Sequence, residues 1–205
     1  MNFVVLSSSR GTVFQATIDR LKDGSLQARC LGLVCDRPDH GCVEKARAAG
    51  LTVKIVPMRK GEPREDYDKR LHQAILELCD SDQANRSPLA ANRSIIACMG
   101  WMWVLSPWFV RKWPNRILNV HPALLPKHPG AHAHELVLAA KDKESGMTIH
   151  LIDEGVDTGK ILIQKSCPVL PDDTVDTLKA RVQKLEIEWF PKVLEMVEKG
   201  EIKLP

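Results

Sequence analysis

Short apolar runs alternate along this chain with segments of helical periodicity, and this alternation restricts the fold more than any other feature. The runs are continuous in apolar residues, as in strands that are covered on both faces. Helical segments separate them, and parallel strands need such crossovers. The sequence therefore predicts an α/β fold: a Rossmann-like, mostly parallel central sheet with helices on both faces. Predicted strands lie at 3–6, 28–35, 51–56, 94–99 and 116–120, and predicted helices at 12–22, 40–49 and 63–78.

The pattern changes beyond residue 130, where two further strands are predicted at 147–152 and 160–169. A long C-terminal helix is expected to start near Asp172 and Asp173, which suit a helix N-terminus. The polar composition of 79–88 predicts an exposed loop. Since no Ser/Gly/Pro linker divides the chain, a single domain over 1–205 is expected. Within this domain, residues 1–120 are expected to form a Rossmann-like half that binds phosphate and substrate. Residues 121–205 are expected to hold the folate-site turn, the extra strands and the last helix.

Charge and composition exclude several function classes. With 29 Lys and Arg against 26 Asp and Glu, the charge is nearly balanced, and no basic run with interleaved aromatics predicts a nucleic-acid partner. The first apolar run is too short for a signal peptide, and none approaches the ~20 residues of a membrane span. The six cysteines lack C-x-x-C spacing, which favours reduced core thiols in a cytoplasmic protein and no metal site.

An amide and an imidazole stand two residues apart at the end of the strand predicted at 116–120. Asn119 and His121 should project from the same face, because side chains alternate along a strand. A Pro-rich loop over 122–130 follows, and such strand ends carry the chemistry of α/β enzymes. Asn can donate to a developing oxyanion, and His exchanges protons near neutral pH. A catalytic site is therefore favoured over a structural histidine. Four nearby histidines lack metal-ligand spacing and are interpreted as local structure: His128, His132, His134 and His150.

Three further features each allow two interpretations. The small residues at 7–11, together with Arg10, suit either an anion site at a helix N-terminus or an ordinary capped turn. Asp157 could lie beside His121 and raise its pKa, or it is simply a common turn residue. Glu186 falls on the apolar face of the last helix, either as an edge or ion-paired residue or as an acceptor for ligand hydroxyls.

The residues from Ile117 to Pro126 and the following His128-Pro129-Gly130 resemble the signature of phosphoribosylglycinamide (GAR) formyltransferases. The segments 146–150 and 153–159 continue this resemblance in register, and it covers nearly the whole chain. The pattern is specific for folate-dependent formyl transfer. It is less specific for the amine that receives the formyl group, because methionyl-tRNA and sugar formyltransferases share much of it.

The resemblance implies that Asn119, His121 and Asp157 form a catalytic trio. The primary amine of GAR would attack the formyl group of the co-substrate 10-formyltetrahydrofolate directly, through a tetrahedral intermediate, in purine biosynthesis. The protein would be a monomer or homodimer with small-molecule partners only and no metal. The substrate-binding residues implied are Arg10, Gly11, Thr12, Val13 and Glu186. The folate-binding residues implied are Arg64, Met102, Trp103, Val104, Leu105, Asn119, Asp153, Glu154 and Gly155.

The chain departs from the family pattern at three places. The phosphate loop typically reads Ser-Gly-x-Gly-Ser-Asn, whereas residues 8–13 read Ser-Ser-Arg-Gly-Thr-Val. Trp103 stands where the family often has an arginine for the folate tail, and the segment 80–92 is longer than usual. The alternative functions are transfer to another amine, such as an amino sugar nucleotide, and 10-formyltetrahydrofolate hydrolysis. Hydrolases usually carry an N-terminal regulatory domain, whereas here the first strand begins at Asn2. A non-catalytic folate-binding relative is disfavoured because the whole trio is present.

Overall fold

The computed structural model describes residues 1–80 and 94–205, where seven strands and six helices alternate. The predicted loop at 79–88 and the long segment at 80–92 therefore lie almost entirely outside the described residues. The strands are β1 (Asn2–Leu6), β2 (Arg29–Cys35), β3 (Val53–Ile55), β4 (Ile95–Cys98), β5 (Ile117–His121), β6 (Glu144–Leu151) and β7 (Ile161–Pro168). The helices are α1 (Thr12–Lys22), α2 (Gly41–Ala48), α3 (Arg64–Asp80), α4 (Pro107–Lys112), α5 (Ala133–Ala139) and α6 (Val175–Glu198).

All seven strands form one sheet in the order β3-β2-β1-β4-β5-β6-β7. Strands β1 to β5 pair in parallel, and β6 and β7 are antiparallel to their neighbours. The predicted α/β fold with a mostly parallel sheet is thus confirmed. β2 lies on one side of β1 and β4 lies on the other, and the helices that follow β1 and β4 pack on opposite faces of the sheet. A crevice opens at the carboxyl edge of the sheet at such a switch point.

Two apolar clusters cover the two faces of the sheet. Phe3 and Val5 of β1 face one cluster, and Val4 and Leu6 face the other. Residues of α1, α2 and α6 pack in the first cluster, and residues of α3 and α4 pack in the second. Both clusters are almost wholly buried. Burial on both faces explains why the parallel strands are continuous in apolar residues.

Several boundaries differ from the sequence prediction, and two helices were not predicted. Strand β3 is only three residues long, and β6 begins three residues before the predicted start at 147. Helices α4 and α5 have six and seven residues, which is too short for a periodic apolar pattern to identify them. The last helix begins at Val175, capped by Thr174, whose side chain accepts from the Thr177 amide.

The cysteines match the interpretation as thiols that pack in the protein. All six are free, and Cys35, Cys42, Cys79 and Cys98 are buried. In residues 1–80 and 94–205, no cluster of three or more His, Cys, Asp or Glu side chains is arranged to hold a metal ion. None of the helices in these residues combines the length and apolar character that crossing a membrane requires.

Candidate active site

The end of β5 places Asn119 and His121 at the carboxyl edge of the sheet. β5 pairs with parallel β4 on one side and with antiparallel β6 on the other, so Asn119 is held by strands on two sides and His121 by β6 alone. His121 is buried, at 4% exposure, and Asn119 is half-buried. A pair fixed in this way loses little conformational freedom when a ligand binds.

The turn after β6 brings Asp157 to His121. The Asp157 Oδ2 atom lies 3.2 Å from His121 Nδ1 and accepts a hydrogen bond of 2.7 Å from the Gly130 amide. Asp157 has a φ of +55°, a left-handed conformation that few non-glycine residues adopt and that Asp tolerates. Burial raises the pKa of Asp157, but the neighbouring His150 ring, the hydrogen bond from the Gly130 amide and the charge of His121 outweigh it, and the pKa is lowered. The carboxylate is therefore ionised at neutral pH.

Both ring nitrogens of His121 face oxygen acceptors. The Nε2 atom lies 2.7 Å from the His128 carbonyl oxygen, opposite the Asp157 carboxylate at Nδ1. Burial outweighs the opposing effects of the Asp157 carboxylate and the His128 carbonyl, so the pKa of His121 is lowered. A neutral imidazole has a single N–H, so only the imidazolium can donate to both acceptors. The hydrogen-bonding geometry therefore favours the protonated ring against the effect of burial.

His150 on β6 also belongs to this polar network, although the sequence suggested only local structure for it. Its Nε2 atom lies 3.2 Å from Asn119 Nδ2 and 3.5 Å from Asp157 Oδ1. Its Nδ1–H donates to the Leu151 carbonyl at 3.0 Å, so the neutral ring accepts from Asn119 at Nε2. The residue stands directly opposite Asn119 in the β5–β6 register. Only the strand pairing reveals this relationship.

The other three histidines have different surroundings. The His128 side chain pairs with Asp142 at 2.8 Å and only its carbonyl reaches His121. His132 is exposed. His134 is buried, its Nδ1 has no hydrogen-bond partner among the described residues, and burial lowers its pKa.

The loop between β1 and α1 presents an uncapped helix N-terminus. Gly11 occupies the N-cap position with a φ of +73° and contributes no side-chain cap. The N–H groups of the first helical turn are therefore free to bind an anion. Arg10 is exposed at the same loop and has no ion-pair partner among the described residues. Val13, at 6% exposure, packs in the core, so it offers an anion only its backbone N–H.

Helix α6 lies against this loop. The Gln183 side chain donates to the Thr12 hydroxyl at 3.0 Å, and Glu186 follows almost one helical turn later on the same face. Glu186 is half-buried, and no hydrogen bond joins it to the described residues. Desolvation raises its pKa from 4.5 to about 7, with the Lys179 charge opposing. The structure thus holds a costly carboxylate near the uncapped helix end.

The loop after β4 exposes three consecutive apolar side chains. Met102, Trp103 and Val104 are 72%, 39% and 62% exposed. The same loop meets the loop after β1, where the Ser8 amide donates to the Gly100 carbonyl at 2.9 Å. An exposed apolar patch beside a polar crevice is typical of a ligand surface. Leu105 is different, because it is buried in the core.

Trp103 makes specific contacts at the position where the family often has arginine. The Arg64 guanidinium lies 5.6 Å from the ring of Trp103 and 5.6 Å from that of Tyr67, which is cation–π range. The Trp103 indole N–H donates to Asp36 at 3.0 Å. The Nη1 atom of Arg64 is buried without a hydrogen-bond partner in the described part of the chain. Arg64 therefore retains a buried donor that no described residue satisfies.

Only one of the carboxylates in the turn at 153–159 reaches His121. Asp153 accepts from the Gly155 amide at 3.0 Å and from the Thr158 hydroxyl at 2.7 Å, which stabilises the turn itself. Glu154 forms an exposed ion pair with Arg111 at 3.0 Å. Gly155 is exposed. These three residues therefore offer a ligand mainly backbone groups, and Asp157 alone turns towards the polar network.

The fold and this site define an α/β protein with a polar, largely buried Asn–His–Asp site at the carboxyl edge of a Rossmann-like sheet. The formyl transferase family model matches residues 1–194, and the chain belongs to this family. The expected family resemblance and the expected fold are both confirmed.

Related proteins differ in how much of their length this chain covers. It is 38% identical over 198 residues to the trifunctional purine biosynthetic protein adenosine-3 of Drosophila melanogaster, and covers 14% of that protein. It is 32% identical over 205 residues to phosphoribosylglycinamide formyltransferase of Escherichia coli (strain K12), and covers 90% of it. Among solved structures, glycinamide ribonucleotide transformylase 1 of Symbiobacterium toebii matches with a TM-score of 0.89 at 29% identity, covering all of this chain and 91% of that one.

Proposed function

We propose that this protein transfers the formyl group of 10-formyltetrahydrofolate to the primary amine of 5-phosphoribosylglycinamide, a step of purine biosynthesis. The observation that carries the proposal is the polar network of Asn119, His121, His150 and Asp157 between an anion-binding helix end and an exposed apolar loop. The names of two relatives support the proposal: the Escherichia coli protein is a phosphoribosylglycinamide formyltransferase, and the Drosophila melanogaster protein is a purine biosynthetic protein.

The network supplies the groups that an acyl transfer needs. When the amine attacks the formyl carbon, negative charge develops on the formyl oxygen, and the Asn119 amide and the positive charge of protonated His121 stabilise it. Asp157 stabilises the imidazolium through the contact at Nδ1. It also accepts the proton that the amine loses, through His121 or a water. Direct attack leaves no covalent enzyme intermediate, so positioning supplies much of the rate.

The GAR phosphate would bind at the N-terminus of α1. The uncapped amides of the first turn donate to it, the helix dipole favours its charge, and Arg10 adds a charge-assisted contact. Glu186 would accept hydrogen bonds from the ribose hydroxyls, which explains a half-buried carboxylate without a hydrogen bond of its own. Gln183 joins α6 to Thr12, so Glu186 lies on the helix that contacts the start of α1.

The folate would bind along the loop after β4. Met102, Trp103 and Val104 provide apolar contact for its rings, and the backbone of the turn at 153–159 offers hydrogen bonds to the pterin edge. The unused Nη1 donor of Arg64 suits a carboxylate of the glutamyl tail. Trp103 cannot form that ion pair, and instead it stacks on Arg64 and keeps the guanidinium in place.

A formyl-transfer assay with a panel of acceptors tests this function. Release of tetrahydrofolate is followed with GAR, an amino sugar nucleotide and water alone, each with 10-formyltetrahydrofolate. The proposal expects turnover with GAR and a kcat/KM at least about 100-fold above that for the other amine. Faster turnover of the amino sugar nucleotide would reassign the acceptor, and release that does not depend on an amine would indicate a hydrolase.

A further inference from the structure

Two buried cysteines touch each other beside the loop between β1 and α1. The Sγ atom of Cys35, the last residue of β2, lies 3.7 Å from the Sγ atom of Cys42 in the first turn of α2. Both residues have 0% exposure. No other pair of cysteine sulfurs in the described residues makes such a contact. The proposed formyl transfer uses neither thiol.

The two thiols are chemically different. The single S–H of Cys35 can donate either to the Arg37 carbonyl oxygen, at 3.1 Å, or to the Cys42 sulfur, at 3.7 Å. That second hydrogen bond lowers the pKa of Cys42, against the effect of burial, and raises the pKa of Cys35. The position of Cys42 in the first turn of a helix also favours a thiolate. Cys42 is therefore the nucleophile of the pair, and Cys35 is the thiol that resolves it.

Cys42 is in direct contact with the loop proposed to bind the acceptor phosphate. Its amide donates to the Ser9 carbonyl at 3.2 Å. A Cβ atom added to Gly11 would lie 2.8 Å from the Cα atom and 2.9 Å from the Cβ atom of Cys42. The backbone of Gly11 thus rests on Cys42, and a shift of Cys42 must displace the N-cap of α1.

We propose that Cys35 and Cys42 form a reversible disulfide on reaction with a hydroperoxide, and that this bond distorts the loop at Gly11. The Cys42 thiolate attacks a peroxide oxygen, the O–O bond breaks, and a sulfenic acid and hydroxide result. The Cys35 sulfur then attacks the Cys42 sulfur and loses its proton, and water leaves. The peroxide gains two electrons from the two thiols. The sulfurs must close from 3.7 Å to about 2.05 Å, which moves Cys42 relative to Gly11.

Burial selects the oxidant. Both thiols are covered, but Ser9, whose carbonyl accepts from the Cys42 amide, is only half-buried, and the neighbouring Arg10 is exposed. Hydrogen peroxide is little larger than water and can pass where the loop opens, whereas a bulky aromatic disulfide reagent cannot. The inference therefore predicts oxidation by hydrogen peroxide and protection from the bulky reagent in the folded protein.

Peptide mapping tests the bond without any activity measurement. Reduced full-length protein is treated with hydrogen peroxide, unfolded, alkylated and digested with trypsin, which does not cut the Arg37–Pro38 bond. The peptide 30–45 then holds Cys30, Cys35 and Cys42. The expected product has lost two hydrogen atoms and carries one alkyl group, on Cys30. A second cleavage before Asp36 leaves Cys35 and Cys42 linked, and dithiothreitol reverses the bond.

The functional consequence rests on the proposed function, so it is measured separately. Oxidation should raise KM for GAR about tenfold or more, as the loss of a hydrogen bond to a charged group implies, with KM for the folate changed less than twofold. Cys35→Ser and Cys42→Ala should remove this effect of peroxide. Cys30→Ser, on the same strand but outside the pair, should retain it. If GAR is not a substrate, the peptide map still decides whether the disulfide forms.

Two outcomes would overturn the inference. One is recovery of Cys35 and Cys42 in alkylated form after peroxide has oxidised other cysteines of the same sample. The other is a disulfide that joins either residue to Cys30. Wild-type protein suffices for both observations, so a variant that fails to fold does not obscure the result.

Discussion

Asn119 on β5 and His150 on β6 face each other across an antiparallel strand pair, with Asn119 Nδ2 3.2 Å from His150 Nε2. The Nδ1–H of His150 is held by the Leu151 carbonyl, so the ring presents an acceptor to the amide. This contact fixes which way the Asn119 side chain points. We expect His150→Phe, which keeps the volume but removes the acceptor, to lower kcat about tenfold or more. Steady-state kinetics measures this effect. A tenfold rise in KM with kcat unchanged would contradict a positioning role.

His121 is the residue whose loss should affect turnover most. His121→Ala removes both the positive charge near the oxyanion and the partner of Asp157, and kcat should fall about 1,000-fold or more. Folate binding should persist within about threefold, because the exposed apolar loop remains. Equilibrium binding of a non-reactive folate together with the turnover assay separates the two effects. His132→Ala, at an exposed position, is the matched control and should retain full activity.

Asp157→Asn should change the pH dependence of activity. The carboxylate raises the pKa of His121 against burial, so its removal lets that pKa fall. If the imidazolium is the active form, kcat declines as pH rises through the His121 pKa, and in the variant this decline moves to lower pH. Activity at pH 7 should drop about 100-fold. If the midpoint of the dependence of kcat on pH is the same in the variant, Asp157 does not raise the pKa of His121.

Glu186 should make the protein less stable at neutral pH than at acidic pH. Its folded pKa is raised from 4.5 to about 7, so the folded state binds more protons than the unfolded state in that window. Glu186 does not destabilise the fold below about pH 4.5, where it is protonated in both states. As pH rises through 7, its ionisation lowers the free energy of unfolding by up to about 3 kcal/mol. Glu186→Gln should therefore be more stable than wild type at pH 8 and equal at pH 4.

The same variant should bind the acceptor less well. A glutamine accepts hydroxyl hydrogen bonds more weakly than a carboxylate, so KM for GAR should rise about tenfold while KM for the folate stays unchanged. Denaturant titration at the two pH values and steady-state kinetics measure both effects. Glu188→Gln, on an exposed neighbour paired with Lys192, serves as the control. Equal changes in both KM values would exclude the ribose contact.

Arg10→Gln tests the anion site at α1. The exposed guanidinium adds a charge-assisted contact to a phosphate there, so KM for GAR should rise several-fold, and its dependence on salt should weaken. The effect is modest because the helix amides remain. Arg37→Gln, at another exposed site, should change neither quantity. Unaltered GAR kinetics in Arg10→Gln would show that the acceptor phosphate binds elsewhere.

The sheet followed from the sequence because buried parallel strands require continuous apolar runs. The predicted strand at 116–120 and helix at 12–22 match β5 and α1 closely. Helices α4 and α5 could not be predicted, because each has only six or seven residues, too few for a periodic apolar pattern. The pairing of Asn119 with His121 on one strand end was likewise readable, since side-chain alternation is a local property of a strand.

Tertiary structure alone decided which distant residues meet this strand end. His150 joins the site because β6 pairs with β5 so that His150 stands opposite Asn119. This register cannot be read from the sequence of either strand. Asp157 reaches His121 while Asp153 closes its own turn and Glu154 pairs with Arg111, although all three carboxylates occur in one short segment. The sequence determined the strands and the residue types of the site, because these depend on local pattern and burial. Their partners depend on contacts between segments far apart in the chain, which only the folded sheet brings together.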